Sequence, residues 1–189
     1  MSGSDVDFDK WKFTISDDKN FKLLGTLKYK LATGGFLNKR SVFIQDFTHY
    51  DANYSRSDYN GTRDYLNGFQ LPLYYQYSNT DNLYGLFLLE HHFNGLFTNK
   101  IPLFKRLKWN LVAGSNMVFL QKTNYIEAFI GLENIFKIFR LDVVSGFENG
   151  SIKRTGLRLG TGGLIGGMFS RSTTNTSNRR GGNAVSVGL

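Results

Sequence analysis

The stretch from Glu90 to Phe119 constrains the fold of this chain more than any other. It begins in an apolar-rich segment, passes through a basic connection at residues 100–108, and continues as a strand in which side chains alternate with period two. From Trp109 onward, large apolar residues alternate with small or polar ones, and Val112 and Val118 are the exceptions. Such a strand has an apolar face and a small, polar face, which is typical of the wall of a membrane barrel.

The same alternation recurs along most of the chain. Bulky apolar residues oppose lysine in residues 8–16 and 21–31, and further alternating segments cover residues 123–133, 137–147 and 153–165. Aromatic residues make up 15% of the chain, which contains 21 Gly but only 2 Pro, and this mixture favours strands and tight bends. We therefore predict an all-β antiparallel meander of about nine strands without a convincing helix.

Several segments interrupt this pattern. Gly34 and Gly35 predict a break between the second and third strands. Residues 49–68 are polar and lack periodicity, which predicts a long loop. The stretch from Phe69 to Ser78 is aromatic, and we predict that it is an extended strand with Pro72 at an edge or bulge position.

A length of 189 residues corresponds to about one domain. Residues 1–7 are expected to be disordered, and residues 8–166 are expected to form the barrel region. Residues 167–189 are rich in Ser, Thr, Asn, Gly and Arg, so we expect a flexible polar tail.

Composition narrows the functional classes. The net charge of +8 is compatible with nucleic-acid binding. Most cations, however, are single residues spread along the strands, so no nucleic-acid partner is expected. No run of about 18 apolar residues is present to form a transmembrane helix. The N-terminus has neither a basic nor an apolar signal region, so no secretory signal is predicted. The chain contains no cysteine, which excludes disulfides and thiolate chemistry.

Alternation assigns side chains to two faces but does not say which face is outside. If the apolar face meets lipid, the lipid-facing candidates are Trp11, Phe13, Leu27, Tyr29, Trp109, Leu111, Phe119, Phe139 and Leu141. The polar candidates that would then line the lumen are Lys28, Lys30, Glu90, His92, Glu127, Arg140, Asp142 and Arg158. A soluble barrel that binds an apolar ligand, like a lipocalin, would have the reverse arrangement.

Candidates for chemistry are few. A metal site or an Asp/His hydrolytic pair can be assembled from Asp46, His49, Asp51, Glu90 and either His91 or His92, but no spacing requires it. The glycine-rich residues 160–167 lack the Lys-Ser/Thr pair of a phosphate-binding loop. We predict no catalytic residue, no metal and no cofactor, and we interpret the charged residues as a network inside a barrel.

A family resemblance rests on several motifs in a fixed order. The chain from about Phe8 to Ile165 resembles the C-terminal barrel of a domain-of-unknown-function family of Gram-negative outer-membrane proteins. The motifs are QDFTHYDAN (45–53), FQLPLYYQYSNTD (69–81), EHHFNGLFTNKIPLFKRLKW (90–109), YIEAFIGLENIFKIFRLDVV (125–144) and GLRLG (156–160). The family typically carries an N-terminal carboxypeptidase-regulatory-like domain and is similar to the BamA/TamA surface-antigen barrels.

The resemblance implies a location and a role. The resemblance implies a barrel of about sixteen strands, as in BamA-type barrels. The chain is therefore expected to be the C-terminal half of a larger barrel, or else a small barrel, from a fragment without its signal peptide. The implied function is that of a non-enzymatic protein of the outer membrane that assists the assembly or export of outer-membrane or surface proteins. Its expected partners are outer-membrane lipid and client strands that pair with an exposed edge. The alternative is a lipocalin-like barrel for an apolar ligand.

Overall fold

A computed structural model describes residues 6–50, 68–73, 75–137, 139–161 and 184–188. Within them, one antiparallel sheet contains eight strands. The strands are β1 (Asp7–Asn20), β2 (Thr26–Ser41), β3 (Tyr84–His92), β4 (Asn110–Phe119), β5 (Asn124–Ile135), β6 (Phe139–Glu148), β7 (Ser151–Thr161) and β8 (Ala184–Gly188). The helical segments of the described residues are short: α1 (Pro102–Leu107) and 3-10 turns at Lys22–Leu24, Ile44–Asp46 and Thr98–Lys100.

The strands from β1 to β7 pair consecutively and antiparallel, so the predicted all-β meander is confirmed. β8 comes from the segment predicted to be a polar tail, and it pairs with β1 from Ser16↔Ala184 to Lys12↔Gly188. β7 and β8 therefore lie at the two edges of the sheet. An open sheet of this kind is consistent with part of a barrel wall.

The structure differs from the sequence prediction at Gly34 and Gly35, where β2 continues without a break. A Cβ atom at Gly34 would lie 2.5 Å from the Trp11 carbonyl oxygen, and one at Gly35 would lie 2.0 Å from the Asn82 carbonyl oxygen. The glycines therefore allow neighbouring backbone to approach closely, and they do not end the strand.

The stretch from Phe69 to Ser78 is not a strand either. Its described residues form turns, in which the Gln76 N–H donates to the Leu73 carbonyl at 3.0 Å and the Ser78 N–H donates to the Tyr75 carbonyl at 3.2 Å. Together with the continuous β2, this reduces the roughly nine predicted strands to seven, and the unpredicted β8 raises the number among the described residues to eight. Of the N-terminus predicted to be disordered, residues 1–5 lie outside the described residues, whereas Asp7 begins β1. Most of the predicted loop at 49–68 also lies outside the described residues.

Turn segments cover one side of the sheet, which we call the inner face. Residues 68–73 and 75–79, called the inner segment, lie on this face together with residues 48–50. A bridge between Thr48 and Asn79 joins the two. A core of buried residues holds them against the sheet: Tyr50, Phe69, Tyr77, Tyr84, Leu88, Val118 and Tyr125.

The opposite side, called the outer face, is apolar. Leu157 and Leu159 on β7 are 75% and 69% exposed. Other large apolar side chains exposed on this face are Phe87, Phe119, Ile130, Phe139, Leu141, Val143 and Ile152. In the described part of the chain, no second layer covers this face. No helix among the described residues is long and apolar enough to cross a membrane.

Alanine substitution at two glycines tests the packing explanation for Gly35. We expect Gly35→Ala to lower the free energy of unfolding by about 1–3 kcal/mol, the usual cost of overpacking, because its Cβ would clash with backbone. Gly85→Ala is the matched control, since its Cβ would come no closer than 3.3 Å to a neighbouring atom. Urea titration followed by tryptophan fluorescence measures both variants, and equal stabilities would contradict this explanation.

Candidate functional site

Charged side chains are concentrated on the inner face of β3, β5, β6 and β7. Strand alternation points every second residue to this face, and Glu127 and Asp142 are 0% exposed there. Three further charged residues on the same face are also buried: Glu90, Arg140 and Arg158. A cluster of buried charges is tolerated only when its members neutralise one another, so their contacts define the candidate site.

His92 lies at one end of this cluster, between two carboxylates. Its Nε2 atom is 2.7 Å from Oε1 of Glu90, and its Nδ1 atom is 3.0 Å from Oε2 of Glu133. The second oxygen of Glu90 accepts a hydrogen bond from Nη2 of Arg140 at 2.9 Å. The contacts therefore run from β3 to β5 and also from β3 to β6.

Asp142 lies at the other end, between two guanidinium groups. Nε of Arg140 donates to Oδ2 of Asp142 at 2.9 Å, and Nε of Arg158 donates to the same oxygen at 2.6 Å. The Phe129 ring lies under both cations, 4.6 Å from the Arg158 guanidinium carbon and 5.7 Å from that of Arg140. We call the set Glu90, His92, Glu133, Arg140, Asp142 and Arg158 the charged network.

Two glycines make room for the charged network. A Cβ atom at Gly131 would lie 1.8 Å from Oδ1 of Asp142, and one at Gly114 would lie 2.3 Å from the Phe129 ring. Gly114 faces Glu90 in the β3–β4 register, and Gly131 faces Asp142 in the β5–β6 register. Missing side chains on β4 and β5 thus let charges on β3 and β6 meet across two intervening strands. In the sequence, Gly114 and Gly131 lie within alternating segments, where nothing distinguishes them from other small residues.

Glu127 forms a second site, separate from the charged network, that holds the inner segment. Its carboxylate accepts hydrogen bonds from the Gln70 N–H at 2.8 Å, the Leu71 N–H at 2.7 Å and the Tyr125 hydroxyl at 2.9 Å. Asn116 adds a bond from Nδ2 to the Gly68 carbonyl at 2.9 Å. A buried carboxylate that receives several donors is well satisfied, so Glu127 acts as an anchor.

Tyrosines extend this anchor through ring contacts. Tyr77 stacks on Tyr125 with the ring centroids 4.7 Å apart, and Tyr50 meets Tyr84 edge-on at 5.5 Å. Burial raises the pKa of Tyr77 to about 12 and also raises the pKa of Tyr50. Both hydroxyls are therefore neutral near pH 7, and their role is packing and hydrogen bonding.

A basic cavity of about 310 Å³ lies between the inner segment and the β1–β2 side of the sheet. Lys10, Lys12 and Lys30 line it, facing Tyr84, Leu86 and Leu88 among others. Nζ of Lys10 donates to the carbonyls of Asp46 at 3.5 Å and Phe47 at 3.4 Å. Lys28 is half-buried and pairs with Glu90 in the β2–β3 register.

The lipid-facing candidates lie at odd-numbered positions, whose alternation places them on the outer face. Phe119, Phe139 and Leu141 are exposed there. The half-buried candidates within strands are Trp11, Phe13, Leu27, Tyr29 and Leu111. Trp109 lies just before β4, with its ring centroid 5.4 Å from that of Phe104.

The histidines considered for catalysis have separate partners. Nδ1 of His49 is 2.7 Å from Oγ of Ser78, whereas Nε2 of His91 is 2.8 Å from the Leu24 carbonyl oxygen. Asp51 lies outside the described residues. Among those described, no group of three or more His, Asp or Glu residues has the geometry to hold a metal ion.

Fold and site together define an antiparallel sheet protein with a charged, filled inner face and an apolar outer face. Residues 1–132 match a family model described as the C-terminal domain of a family of unknown function, DUF5686. The chain belongs to this family, which confirms the resemblance at that level. Searches of curated proteins and of solved structures found no match.

Substitution of Asp142 tests the charged network. We expect Asp142→Asn to lower the free energy of unfolding by about 3–5 kcal/mol, because it leaves two buried guanidinium groups without their shared counter-charge. Asp7→Asn is the control, since the Asp7–Arg40 pair at 3.6 Å is solvent-exposed and should contribute less than about 1 kcal/mol. A urea titration in which both variants lose equally little stability would contradict the assigned role.

Substitution of Glu127 tests the anchor. Glu127→Gln removes the charge that receives two backbone N–H groups, so the inner segment should detach more often and be cleaved faster in limited proteolysis. Glu148→Gln is the matched control, because Glu148 pairs at 3.3 Å with the exposed Lys153. Unchanged cleavage within residues 68–79 of the Glu127 variant would show that the carboxylate does not hold the segment.

Proposed function

We propose that this chain forms part of the wall of an outer-membrane β-barrel, with its outer face against lipid and its inner face toward the lumen. One observation carries the proposal: apolar side chains are exposed and charged side chains are buried, which is the reverse of their distribution in a soluble protein. Leu157 and Leu159 on β7 are exposed, whereas Arg158 on β7 and Arg140 and Asp142 on β6 are buried. A lipid-facing barrel requires this distribution.

The size of the apolar surface supports this environment. At least nine large apolar side chains are exposed on the outer face of β3 to β7. Monomeric soluble proteins rarely expose a contiguous apolar patch larger than a few hundred square ångströms, because water makes it unfavourable. In contact with lipid the same side chains incur no such cost.

Strand length also fits a bilayer. β3, β4, β6 and β7 contain 9, 10, 10 and 11 residues. A tilted strand needs about 9–11 residues to cross the hydrocarbon core. β1 and β2, with 14 and 16 residues, are long enough to extend beyond it.

The edges of the sheet suggest how the protein pairs with other strands, and hence a role in assembly or export. Among the described residues no strand pairs with the outer edge of β7. The backbone groups along that edge can serve as a template for another strand, either from a larger barrel of the BamA/TamA type or from a client outer-membrane or surface protein. A non-enzymatic role in assembly or export agrees with the contacts of the buried carboxylates. Asp142 and Glu127 already accept hydrogen bonds from the chain itself, as expected of structural rather than catalytic groups.

A lipocalin-like role is less well supported. The cavity beside Lys10, Lys12 and Lys30 favours a ligand, but a barrel for apolar ligands needs an apolar lumen and a polar exterior. Here the charges lie on the inner face, and the inner segment occupies part of it.

Export of the chain behind a supplied signal peptide tests the membrane proposal. We expect it to fractionate with the outer membrane and to migrate in a heat-modifiable way. Leu159→Arg should reduce the membrane fraction, because a cation on the lipid face costs about 2–4 kcal/mol near the midplane.

Leu73→Arg is the matched control, since Leu73 is an exposed leucine in the inner segment rather than in a strand. Its membrane fraction should equal that of the unmodified chain. A water-soluble, detergent-independent monomer that tolerates both substitutions would contradict the proposal.

A further inference from the structure

Three connections meet at one end of the sheet. Because β1 to β7 form an antiparallel meander, the β1–β2, β3–β4 and β5–β6 connections all lie at the same end. They comprise residues 21–25, 93–109 and 136–137, and we call them together the basic rim. Two hydrogen bonds hold each of the first two connections to the strand beside the other. Nε2 of His91 on β3 lies 2.8 Å from the Leu24 carbonyl oxygen, and Nδ2 of Asn94 donates to Oγ1 of Thr26 on β2 at 3.2 Å.

Large apolar side chains project from the basic rim into solvent. Leu23 is 86% exposed, Phe136 is 75% exposed and Leu103 on α1 is 60% exposed. The other exposed apolar residues in these connections are Phe21, Leu24, Phe97, Ile101 and Leu107. Connections in contact with water alone rarely carry so many apolar side chains.

The charges of the basic rim have a single sign. Its three connections contain no Asp or Glu, and their cations are Lys22, Lys100, Lys105, Arg106, Lys108 and Lys137. None of these cations forms an ion pair with another residue in the described part of the chain. The connections at the opposite end, by contrast, carry both signs, with Asp46 and Asp81 as well as Lys122.

The β3–β4 connection is held in place, so its side chains are displayed in a fixed arrangement. Pro102 occupies the first turn of α1, and the helix ends at Lys108 in the left-handed conformation with φ 56°. This ending lets the Trp109 ring pack on Phe104 immediately before β4. The rings of Phe93 and Phe97 pack edge-on with their centroids 5.1 Å apart, and Thr98 in the same connection is buried.

We propose that the basic rim binds the anionic headgroups of phospholipids, with its exposed apolar side chains entering the boundary between headgroups and acyl chains. A surface rich in Lys, Arg, Leu, Phe and Trp is what an anionic lipid surface attracts and retains. A nucleic-acid partner would use the cations but would leave the exposed leucines without a role. The inference rests on the proposed membrane location for the orientation of the sheet.

Tryptophan quenching tests this inference in the full chain. Trp11→Phe leaves Trp109 as the single tryptophan, because the sequence contains two. The protein is reconstituted in vesicles of phosphatidylcholine and phosphatidylglycerol in which one lipid or the other is brominated. We expect brominated phosphatidylglycerol to quench Trp109 more strongly than brominated phosphatidylcholine does, and this preference should decline as salt is added.

The variant Lys105→Gln/Arg106→Gln should reduce the preference for phosphatidylglycerol at least about fivefold at low salt, since one cation near an anionic surface is worth about 1 kcal/mol. Lys39→Gln/Lys122→Gln removes two cations from the opposite end and is expected to leave the preference unchanged. Both pairs are exposed, so folding of the variants is not expected to suffer.

The two proposals fail in different ways. Equal quenching by both lipids, in a protein that is inserted and heat-modifiable, would overturn the lipid role of the basic rim and leave the membrane proposal standing. If the chain proves water-soluble, flotation with phosphatidylglycerol vesicles tests the basic rim alone, and a lack of flotation overturns it. Displacement of the vesicles by a short DNA duplex would overturn it in favour of nucleic-acid binding.

Discussion

The carboxylate of Asp142, shared by Arg140 and Arg158, is the interaction on which the inner face depends. Two guanidinium groups on a buried surface would be prohibitively costly without a counter-charge, and this one lies 0% exposed between them. Since Arg140 also contacts Glu90, the pairing on β6 and β7 is continuous with the pairing on β3. Charge neutralisation therefore fixes the relative positions of strands that are not neighbours in the sheet.

The apolar outer face follows from the same distribution. A sheet has two faces, and when the charged network and the inner segment occupy one of them, large apolar residues remain for the other. Leu141 and Val143 flank Asp142 in sequence and point outward as a consequence. In the proposed function these side chains contact lipid, and the further proposal places the basic rim at the boundary of that lipid.

Much of the fold could be predicted from alternation, and little of the site could. Period two located β1 and β4 to β7 and assigned Glu90, Arg140 and Asp142 to one face. Alternation does not give the register between strands, so it could not predict which side chains on different strands are in contact. It also could not predict the space that Gly114 and Gly131 leave for their neighbours. The predicted strand break at Gly34 and Gly35 was wrong, because the sequence does not distinguish a glycine that allows close approach of a neighbouring carbonyl from one that ends a strand.

The anchor at Glu127 holds the inner segment through main-chain groups of that segment. Its partners at positions 70 and 71 are backbone N–H groups, which every amino acid except proline provides. The Leu71 side chain packs against a buried apolar cluster around Phe129, so its identity is constrained, whereas Gln70 can change during evolution while the attachment persists. Variation within this family is expected to accumulate at position 70, whereas the carboxylate that receives the two bonds stays the same.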